Sequence, residues 1–245
     1  MRLPALLIAA ALIAPFALPG AAMARTVHHR TRHAVAGRPV VVELYTAQGC
    51  ADCPGADALV ARLADQANVI ALTFPVDYWD YLGWRDTFAR PEFSDRQHAY
   101  MKAMKLRDVY TPQVVVDGRE QMSGLKADEV ENAIKAAARE PGARPAITLR
   151  SASWALVGSA RSTAGGADVW LVRYAPEVRE VTPKTGENKG KVIRETDVVR
   201  ELVKLGPWRG ASHAYKLPKA SDPALKSVIL VQATRTGRIL ASRRF

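Results

Sequence analysis

The sequence predicts an α/β domain followed by a β-rich, sandwich-like domain. Three observations lead to this prediction. An apolar, β-branched run at residues 40–45 enters a short polar turn and then a helical pattern. A second apolar run at residues 69–76 completes a strand–helix–strand unit. After residue 143 the pattern changes to short strand-like runs bounded by glycine and proline, which is typical of an all-β layer.

The N-terminus has the pattern of a secretory signal peptide. A short basic start precedes the apolar run Leu3 to Leu18, and Ala22-Met23-Ala24 matches a small-x-small cleavage site. The alternative is an uncleaved anchor. No later segment is long and apolar enough to cross a bilayer, so we expect no transmembrane segment in the mature chain and a periplasmic or secreted location after cleavage near Ala24.

These features divide the chain into four segments. Residues 1–24 are the predicted signal peptide, and residues 25–37 are a predicted mobile N-terminal arm that holds three of the five histidines. Residues 38–143 form the predicted α/β domain. Residues 144–245 form the predicted β-rich domain.

The charge of the chain is concentrated in its second half. The formal net charge is +11, and residues 145–245 hold 18 Lys and Arg against 8 Asp and Glu. A basic half can face an anionic surface or an acidic partner. The alternative is a solvated exported surface, which the scattering of these charges through strand-like segments favours. We expect no nucleic-acid partner, and the sequence does not indicate the oligomeric state.

In the first half, the spacing predicts three helices and four strands. The first helix opens near Pro54 and ends near residues 67–68, a second runs from an N-cap at Ser94 to Lys105, and a third covers residues 126–139. Strands are predicted at residues 40–45, 69–76 and 113–116, with a hairpin turn at Asp117-Gly118 leading to the last strand, which ends at Ser123.

In the second half, six strand-like runs are predicted. They are residues 147–150, 154–160, 168–174, 212–217, 227–234 and 239–243. Residues 196–205 are ambiguous, because their valines favour a strand while the spacing of the apolar residues also suits a helix.

Cys50 and Cys53 are the only cysteines in the chain. Their Cys-x-x-Cys spacing lets the two sulfurs meet across the first turn of a helix, where unpaired N–H groups favour a thiolate, as thiol–disulfide exchange requires. Cys50 is then the attacking thiol and Cys53 the resolving one. Two alternatives stay open: a purely structural Cys50–Cys53 disulfide, and a metal site. A zinc site needs four ligands, and no second Cys-x-x-Cys or suitable histidine pair follows.

The order of elements resembles the thioredoxin fold, with Thr111-Pro112 directly before the third strand. In that superfamily a cis-proline at this position faces the active-site disulfide and helps to hold a substrate chain. The resemblance therefore implies a catalytic-site role for Pro112 and a substrate-binding role for Thr111. It makes the first predicted domain thioredoxin-like.

Three further stretches resemble one secreted bacterial family, catalogued as domain of unknown function 1223 and described as thioredoxin-like with a β-rich extension. They are residues 42–54 (VELYTAQGCADCP), 76–84 (VDYWDYLGW) and 110–113 (YTPQ), and residues 186–190 (GENKG) also match. The resemblance covers roughly Pro39 to Phe245. It implies no substrate, because the family has none assigned.

Two carboxylates near the cysteines have predicted roles. The resemblance to thioredoxins implies that Glu43, an acid inside an apolar strand, exchanges a proton with Cys53. The alternative is that Glu43 reaches solvent or forms an ion pair. Asp52, between the cysteines, disfavours a thiolate and so predicts a less oxidising protein than a dedicated periplasmic oxidase.

The aromatic stretch at residues 77–93 supplies candidate substrate contacts. Tyr78 and Trp79 are predicted to wall the cysteine face and bind an apolar peptide or small molecule; the alternative is packing between domains. The expected function is thiol–disulfide exchange on the thiols or disulfides of exported proteins, with no cofactor and no resident metal. The alternatives are a binding module for a soft metal such as Cu(I), held by the cysteines with His28 or His29, and a non-catalytic adaptor.

Overall fold

The structure, a computed structural model, describes residues 38–141, 144–161 and 164–245. These residues fall within one compact unit, Ala36–Phe245. The predicted signal peptide and N-terminal arm, with His28 and His29, lie outside the described residues. Among the described residues no helix is long and apolar enough to span a membrane.

The described residues form three α-helices, a short 3-10 helix at Asp80–Leu82 and thirteen strands. The helices are α1 (Cys53–Ala64), α2 (Pro91–Met104) and α3 (Ala127–Arg139). The strands are β1 (Val40–Thr46), β2 (Val69–Pro75), β3 (Gln113–Val116), β4 (Glu120–Ser123), β5 (Ile147–Ser151), β6 (Trp154–Val157), β7 (Ala167–Ala175), β8 (Arg179–Val181), β9 (Ile193–Glu195), β10 (Val198–Trp208), β11 (His213–Lys216), β12 (Lys226–Ala233) and β13 (Ile239–Arg244).

The predicted strand–helix–strand unit is present. β1 and β2 pair in parallel along their whole length, and β1 also pairs with β3, in the antiparallel direction. The predicted turn between β3 and β4 is tight, because Asp117 and Gly118 both have positive φ angles, of 50° and 62°. A Cβ on Gly118 would lie only 2.1 Å from the backbone oxygen of Gly237, so this turn has room for glycine alone.

One helix boundary differs from its prediction, one ambiguous segment is a strand, and one hairpin was not predicted. Helix α2 begins at Pro91 rather than after a cap at Ser94, because proline is favoured in the first turn of a helix. The Ser94 hydroxyl instead donates a 2.6 Å hydrogen bond to Asp77. Of the ambiguous residues 196–205, those from Val198 onward belong to strand β10, and the short hairpin of β8 and β9 was not predicted.

The predicted arrangement, an α/β thioredoxin-like domain followed by a separate sandwich-like β-rich domain, is wrong. One mixed sheet of eight strands, in the order β13-β12-β7-β10-β2-β1-β3-β4, takes four strands from each half of the chain. The two halves join where β10 runs parallel to β2, with Val198 opposite Thr73. The Thr73 N–H donates to the Asp197 oxygen at 3.1 Å and its hydroxyl donates to the Thr196 oxygen at 2.6 Å.

The hydrophobic core also runs across the predicted boundary. One buried cluster combines Tyr45, Phe74 and Tyr100 from the first half with Val172 and Val228 from the second, and it includes both cysteines. The strands of the second half therefore extend the first sheet, because they bury its apolar edge, instead of packing against it as a second layer. The remaining strands form a three-stranded sheet, β11-β6-β5, and the β8-β9 hairpin.

Candidate active site

The two cysteines are joined in a disulfide at the start of α1. Their Cα atoms are 5.4 Å apart, and Cys53 is the first residue of the helix, followed by Pro54. The turn before it is held by the Cys50 N–H, which donates to the Ala47 oxygen at 3.1 Å, and by the Cys53 N–H, which donates to the Cys50 oxygen at 3.2 Å. Asp52 is the exposed N-cap residue, and its side chain makes no capping hydrogen bond.

The disulfide is enclosed. Cys50 is 2% exposed and Cys53 is 0% exposed. A segment between β8 and β9, residues 183–191, lies against this turn, and we call it the cover segment. The side-chain amide of Asn188 donates to the Cys50 oxygen at 2.7 Å and to the Gln48 oxygen at 3.0 Å. The Ala51 N–H donates to the Glu187 carboxylate at 3.2 Å. Access to either sulfur therefore requires local movement, and the cover segment is one of the segments held against the turn.

Gln48 is the centre of the hydrogen-bond network beneath the turn. Its side-chain oxygen accepts from Trp84 Nε1 at 2.9 Å and from the Thr87 N–H at 3.2 Å. Its side-chain nitrogen donates to Glu195 of β9 at 3.1 Å, and its backbone N–H donates to Asp86 at 2.8 Å. This buried amide thus ties the cysteine turn to the aromatic stretch and to the second half of the chain.

Three buried carboxyl groups lie around this network: Asp57 on α1, Asp86 in the loop before α2 and Glu195 on β9. They are 3%, 5% and 1% exposed. Asp86 is well supplied with donors, since it accepts from the backbone N–H groups of Gln48, Phe88 and Ala89. Burial raises its pKa to about 6 against the lowering effect of those N–H groups.

Asp57 and Glu195 have fewer hydrogen-bond donors around them than Asp86 has. Neither carboxylate oxygen of Asp57 accepts a well-formed hydrogen bond from the described residues, although the Thr46 hydroxyl is near enough to act on it, and Oε1 of Glu195 accepts none either. Burial raises the pKa of Asp57 to about 8; the Thr46 hydroxyl opposes this rise and Asp86 adds to it. Burial also raises the pKa of Glu195 well above its usual value, with further contributions from Asp57 and Asp86. With a pKa of about 8, Asp57 is largely protonated at neutral pH.

Glu43 lies in a different group of side chains. Its carboxylate forms an ion pair with Arg96 of α2, with nitrogen–oxygen distances of 2.7 Å and 2.8 Å. It also accepts hydrogen bonds from the hydroxyls of Tyr45 and Tyr100, at 2.9 Å and 2.8 Å. Since alternate residues of a strand face opposite sides, Glu43 and Tyr45 share the face covered by α2, whereas Val42 and Leu44 pack with α1 and α3. The ion-pair alternative is the one observed.

Pro112 lies beside the first turns of α1. The Thr111–Pro112 peptide bond is cis. A Cβ on Gly124 would lie 2.6 Å from the Cβ of Ala56 and 3.3 Å from that of Pro112, so α1, Gly124 and Pro112 meet at close range. Pro112 also accepts a 2.9 Å hydrogen bond from the Gly124 N–H. The fold thus brings Pro112 next to the helix that carries Cys53.

The predicted aromatic wall packs against the core cluster that contains both cysteines. Trp79 lies directly beside the turn, since its Cβ is 3.5 Å from where a Cβ on Gly49 would be. The Tyr78 hydroxyl donates to Gln97 at 3.1 Å, and burial raises its pKa to about 12. Trp79 Nε1 and Thr111 Oγ1 are buried without a hydrogen-bond partner among the described residues. The Thr111 hydroxyl acts on Tyr78, whose pKa it lowers, and both atoms lie beneath the surface, so a bound molecule would reach them only after local movement.

A separate cavity of about 360 Å³ lies between α2 and strands β7, β10 and β12. Arg96, Trp170 and Gln232 are among its lining residues, and neither cysteine is. In the described part of the chain, no group of three or more His, Cys, Asp or Glu side chains is arranged to hold a metal ion.

Sequence reasoning did not find Asp57, Glu195, Asn188 or Gln48. The sequence does contain a hint of the position of Asp57. It follows Cys53 by four residues, and it lies between the apolar residues Ala56 and Leu59, which α1 buries. The sequence contains no such hint for Glu195 and Asn188, since only the pairing of β10 with β2 brings them to the cysteine turn.

Comparisons with known proteins bear on the family and the fold. No curated protein matches the chain. The structure is similar to the crystal structure of protein AGR_C_4864 from Agrobacterium tumefaciens, with a TM-score of 0.71 and 29% identity over 84% of this chain and 93% of that one. It is also similar in fold to HBP35 of Porphyromonas gingivalis, with a TM-score of 0.52 and 11% identity over 85% of this chain and 75% of that one. The family model "Protein of unknown function (DUF1223)" matches residues 41–232, and the chain therefore belongs to that family.

Proposed function

We propose that this protein carries out thiol–disulfide exchange through Cys50 and Cys53. The observation that carries the proposal is the placement of the pair. The only two cysteines of the chain are bonded to each other across the first turn of a helix, with no acidic side chain in that first turn. The helix N-terminus favours a thiolate there, and thiolates are the species that attack and leave in disulfide exchange.

A purely structural role accounts less well for this bond. A disulfide that closes so short a loop constrains the unfolded chain by only about 2 kcal/mol in the loop-entropy model. The turn is already held by backbone hydrogen bonds and by Asn188, and it sits on a sheet of eight strands. The bond therefore adds little to the stability of the surrounding structure.

The proposed reaction begins at Cys50, which lies in the turn ahead of α1. In the reducing direction the Cys50 thiolate attacks one sulfur of a substrate disulfide, and the other substrate sulfur leaves as a thiolate. Cys53 then attacks the Cys50 sulfur of the mixed disulfide. The second substrate sulfur leaves, the Cys50–Cys53 bond forms, and the two electrons have passed to the substrate. The oxidising direction is the reverse.

Substrate contacts are assigned to Thr111, Tyr78 and Trp79, with Pro112 against the helix that carries Cys53. The Trp79 Nε1 group, which has no hydrogen-bond partner among the described residues, supports this assignment, because an extended peptide has C=O groups that accept from an indole N–H. The proposed substrates are thiols or disulfides of exported proteins, in keeping with the predicted signal peptide. Glu43 is given no part in proton transfer, since Arg96, Tyr45 and Tyr100 occupy its oxygens.

Equilibration with glutathione tests the proposal. The folded protein should exchange reversibly, with a reduction potential between about −300 and −120 mV, which spans the range of dithiol oxidoreductases. It should also speed insulin reduction by dithiothreitol, and Cys50→Ser should abolish this effect. A bond that stays oxidised below about −300 mV in the folded protein, together with no insulin reduction, would identify a structural disulfide instead.

A further inference from the structure

Arg200 is the extra residue of a β-bulge in strand β10. Val199 of β10 lies opposite Tyr174 of β7, and Glu201 lies opposite the adjacent β7 residue, Arg173. Arg200 therefore has no counterpart on β7, and the bulge falls just after the point where β10 pairs with β2. A bulge re-aims a side chain out of the regular alternation of its strand, and bulges are over-represented beside functional sites.

The guanidinium group of Arg200 has no carboxylate partner. Among the described residues it makes no hydrogen bond and no ion pair, and its carbon lies 5.0 Å from the centre of the Phe88 ring. The side chain is half-buried, and the acid that acts on it is Glu195, whose own pKa is raised by burial. The ring holds the guanidinium group in place, and its N–H donors remain for a ligand.

Two further arginines lie around the same cavity. This cavity, of about 230 Å³, is lined by Arg90, which precedes α2, by Arg179 of β8 and by Arg200 of β10. Burial lowers the pKa of Arg200, and the positive charges of Arg90 and Arg179 lower it further. Three separate segments thus bring like charges together, and a bound anion would offset their repulsion.

The acids near this cavity leave its net charge positive. Arg179 forms an ion pair with Glu177, and a nitrogen of Arg90 lies 3.9 Å from a carboxylate oxygen of its neighbour Glu92. All four of these side chains are close to half exposed, and ion pairs at such positions contribute little. Asp222 also lines the cavity, and one of its oxygens accepts from a backbone N–H. Three guanidinium groups therefore line the cavity against one carboxylate.

The chemistry of the lining indicates the class of ligand. A guanidinium group presents paired N–H donors that match two oxygens of a phosphate or a carboxylate. A phosphate monoester carries a charge of about −1.5 to −2 and three acceptor oxygens, which suit three arginines better than the single charge of a carboxylate does. Phe88, Ala175 and Leu225 form the apolar part of the lining, and the organic group of an ester can pack against them.

We propose that Arg90, Arg179 and Arg200 form a binding site for the phosphate group of a small organic phosphate monoester. Neither cysteine lines this cavity. The inference goes beyond the proposed thiol–disulfide exchange, because the binding requires no reaction at Cys50 or Cys53.

Calorimetric titration of the oxidised full-length protein with phenyl phosphate, at pH 7.5 and fixed ionic strength, tests the proposal. We expect one binding site per chain with a Kd of about 1 mM or lower. Benzenesulfonate is the matched control ligand, because it has the same ring and a single negative charge, and it should bind at least about tenfold more weakly. No detectable binding of phenyl phosphate, or equal binding of the two ligands, would refute the site.

Inorganic phosphate separates the two possible sources of the phosphate group. It should bind more weakly than phenyl phosphate, because it has no ring to pack against the apolar lining. Inorganic phosphate that binds as tightly as phenyl phosphate or more tightly would overturn the assignment to an organic ester.

Variants test which residues hold the ligand. Arg200→Gln should weaken the binding of phenyl phosphate by about 10- to 150-fold, the usual contribution of a hydrogen bond to a charged group. Arg200→Lys keeps the charge but loses the paired donors, so it should also weaken binding. Arg150→Gln is the control, since it removes the same charge from an exposed position on β5, and its Kd should stay within about twofold of the wild type. If Arg150→Gln weakens binding as much as Arg200→Gln does, the effect is one of net charge and the site is refuted.

A further variant covers the case in which Arg200→Gln does not fold. Arg179 is exposed on the two-stranded β8-β9 sheet, so Arg179→Gln leaves the packing of the eight-stranded sheet unchanged. It should weaken the binding of phenyl phosphate by about tenfold or more. An unchanged Kd in Arg179→Gln would overturn the proposed three-arginine site.

Discussion

The cover segment makes a sharp prediction for Asn188→Ala. The side-chain amide of Asn188 donates two buried hydrogen bonds, to the backbone oxygens of Cys50 and Gln48. Each is worth about 0.5–1.5 kcal/mol net, so their removal should shift the balance between the covered and uncovered turn by about 1–3 kcal/mol. At 1.4 kcal/mol for each factor of ten, the uncovered population should rise by about 5- to 150-fold.

The rate of disulfide reduction reports this population. Dithiothreitol can attack a sulfur only when the turn is uncovered, and the observed rate follows the open fraction when opening and closing are fast. The oxidised protein is held with dithiothreitol at neutral pH, samples are quenched with a maleimide polymer, and the shifted band is followed on a gel. The rate for Asn188→Ala should exceed that of the wild type by the factor above.

The control lies in the same segment. Lys189→Ala removes an exposed side chain and should leave the rate within about twofold. Low concentrations of urea should have little effect on the reduction rate, because local opening exposes little surface, whereas global unfolding would make the rate rise steeply. If Asn188→Ala is reduced at the wild-type rate, the cover segment does not limit access to the disulfide.

Three further predictions concern stability, each measured by urea unfolding. Gly118→Ala should lower the free energy of unfolding by about 3 kcal/mol or more, because the new Cβ meets the Gly237 oxygen. Gly190→Ala is the control: its φ is 75° but nothing lies within 4 Å of a Cβ there, so the loss should be about 1–2 kcal/mol. Equal losses in the two variants would contradict the steric explanation. Glu43→Gln should cost about 3–5 kcal/mol, because it leaves a buried guanidinium without its counter-charge, and a loss under about 1 kcal/mol would be inconsistent with the buried pair. Asp57 keeps a proton in the folded protein up to a pKa of about 8 that the unfolded chain loses at 3.8. The free energy of unfolding of the wild type should therefore fall relative to Asp57→Asn as pH rises between these values, and a constant difference would argue against the raised pKa.

The sequence was informative where neighbours along the chain decide the structure. Val40 to Tyr45 has the apolar, β-branched composition of a buried parallel strand, and Pro54 marks the start of a helix, so β1, α1 and β2 were predicted closely. The positive φ angles at Asp117 and Gly118 follow from the turn chemistry of those two residue types.

The sequence was uninformative where distant segments meet. The strand-like runs after residue 143 are compatible with a separate layer and with an extension of the first sheet. An alternating apolar pattern predicts a strand but does not predict which strand it pairs with. The pairing of Val198 with Thr73 decides between the two. It also carries β9, with Glu195, to the cysteine turn.

The same limit applies to the acids of the site. The position of a carboxylate in an apolar strand predicts that it is buried but does not identify its partner. The structure shows that Glu43 pairs with Arg96 of α2. Asp57 was overlooked although its position four residues after Cys53 was visible, since a lone acid on a helix usually faces solvent. Its burial depends on β9, which only the three-dimensional structure supplies.

The cover segment has a consequence for the order of events during biosynthesis. Asn188 lies 138 residues after Cys50. A chain made from its N-terminus therefore presents both cysteines well before the residues that will enclose them exist. Oxidation of the pair is unobstructed in that interval and becomes restricted once β7 and β10 have joined the sheet and the β8-β9 hairpin has brought the cover segment against the turn. The redox state of the two cysteines in a newly made molecule thus depends on the oxidants and reductants that contact the nascent chain before the cover segment is in place. Later changes depend on movement of the cover segment.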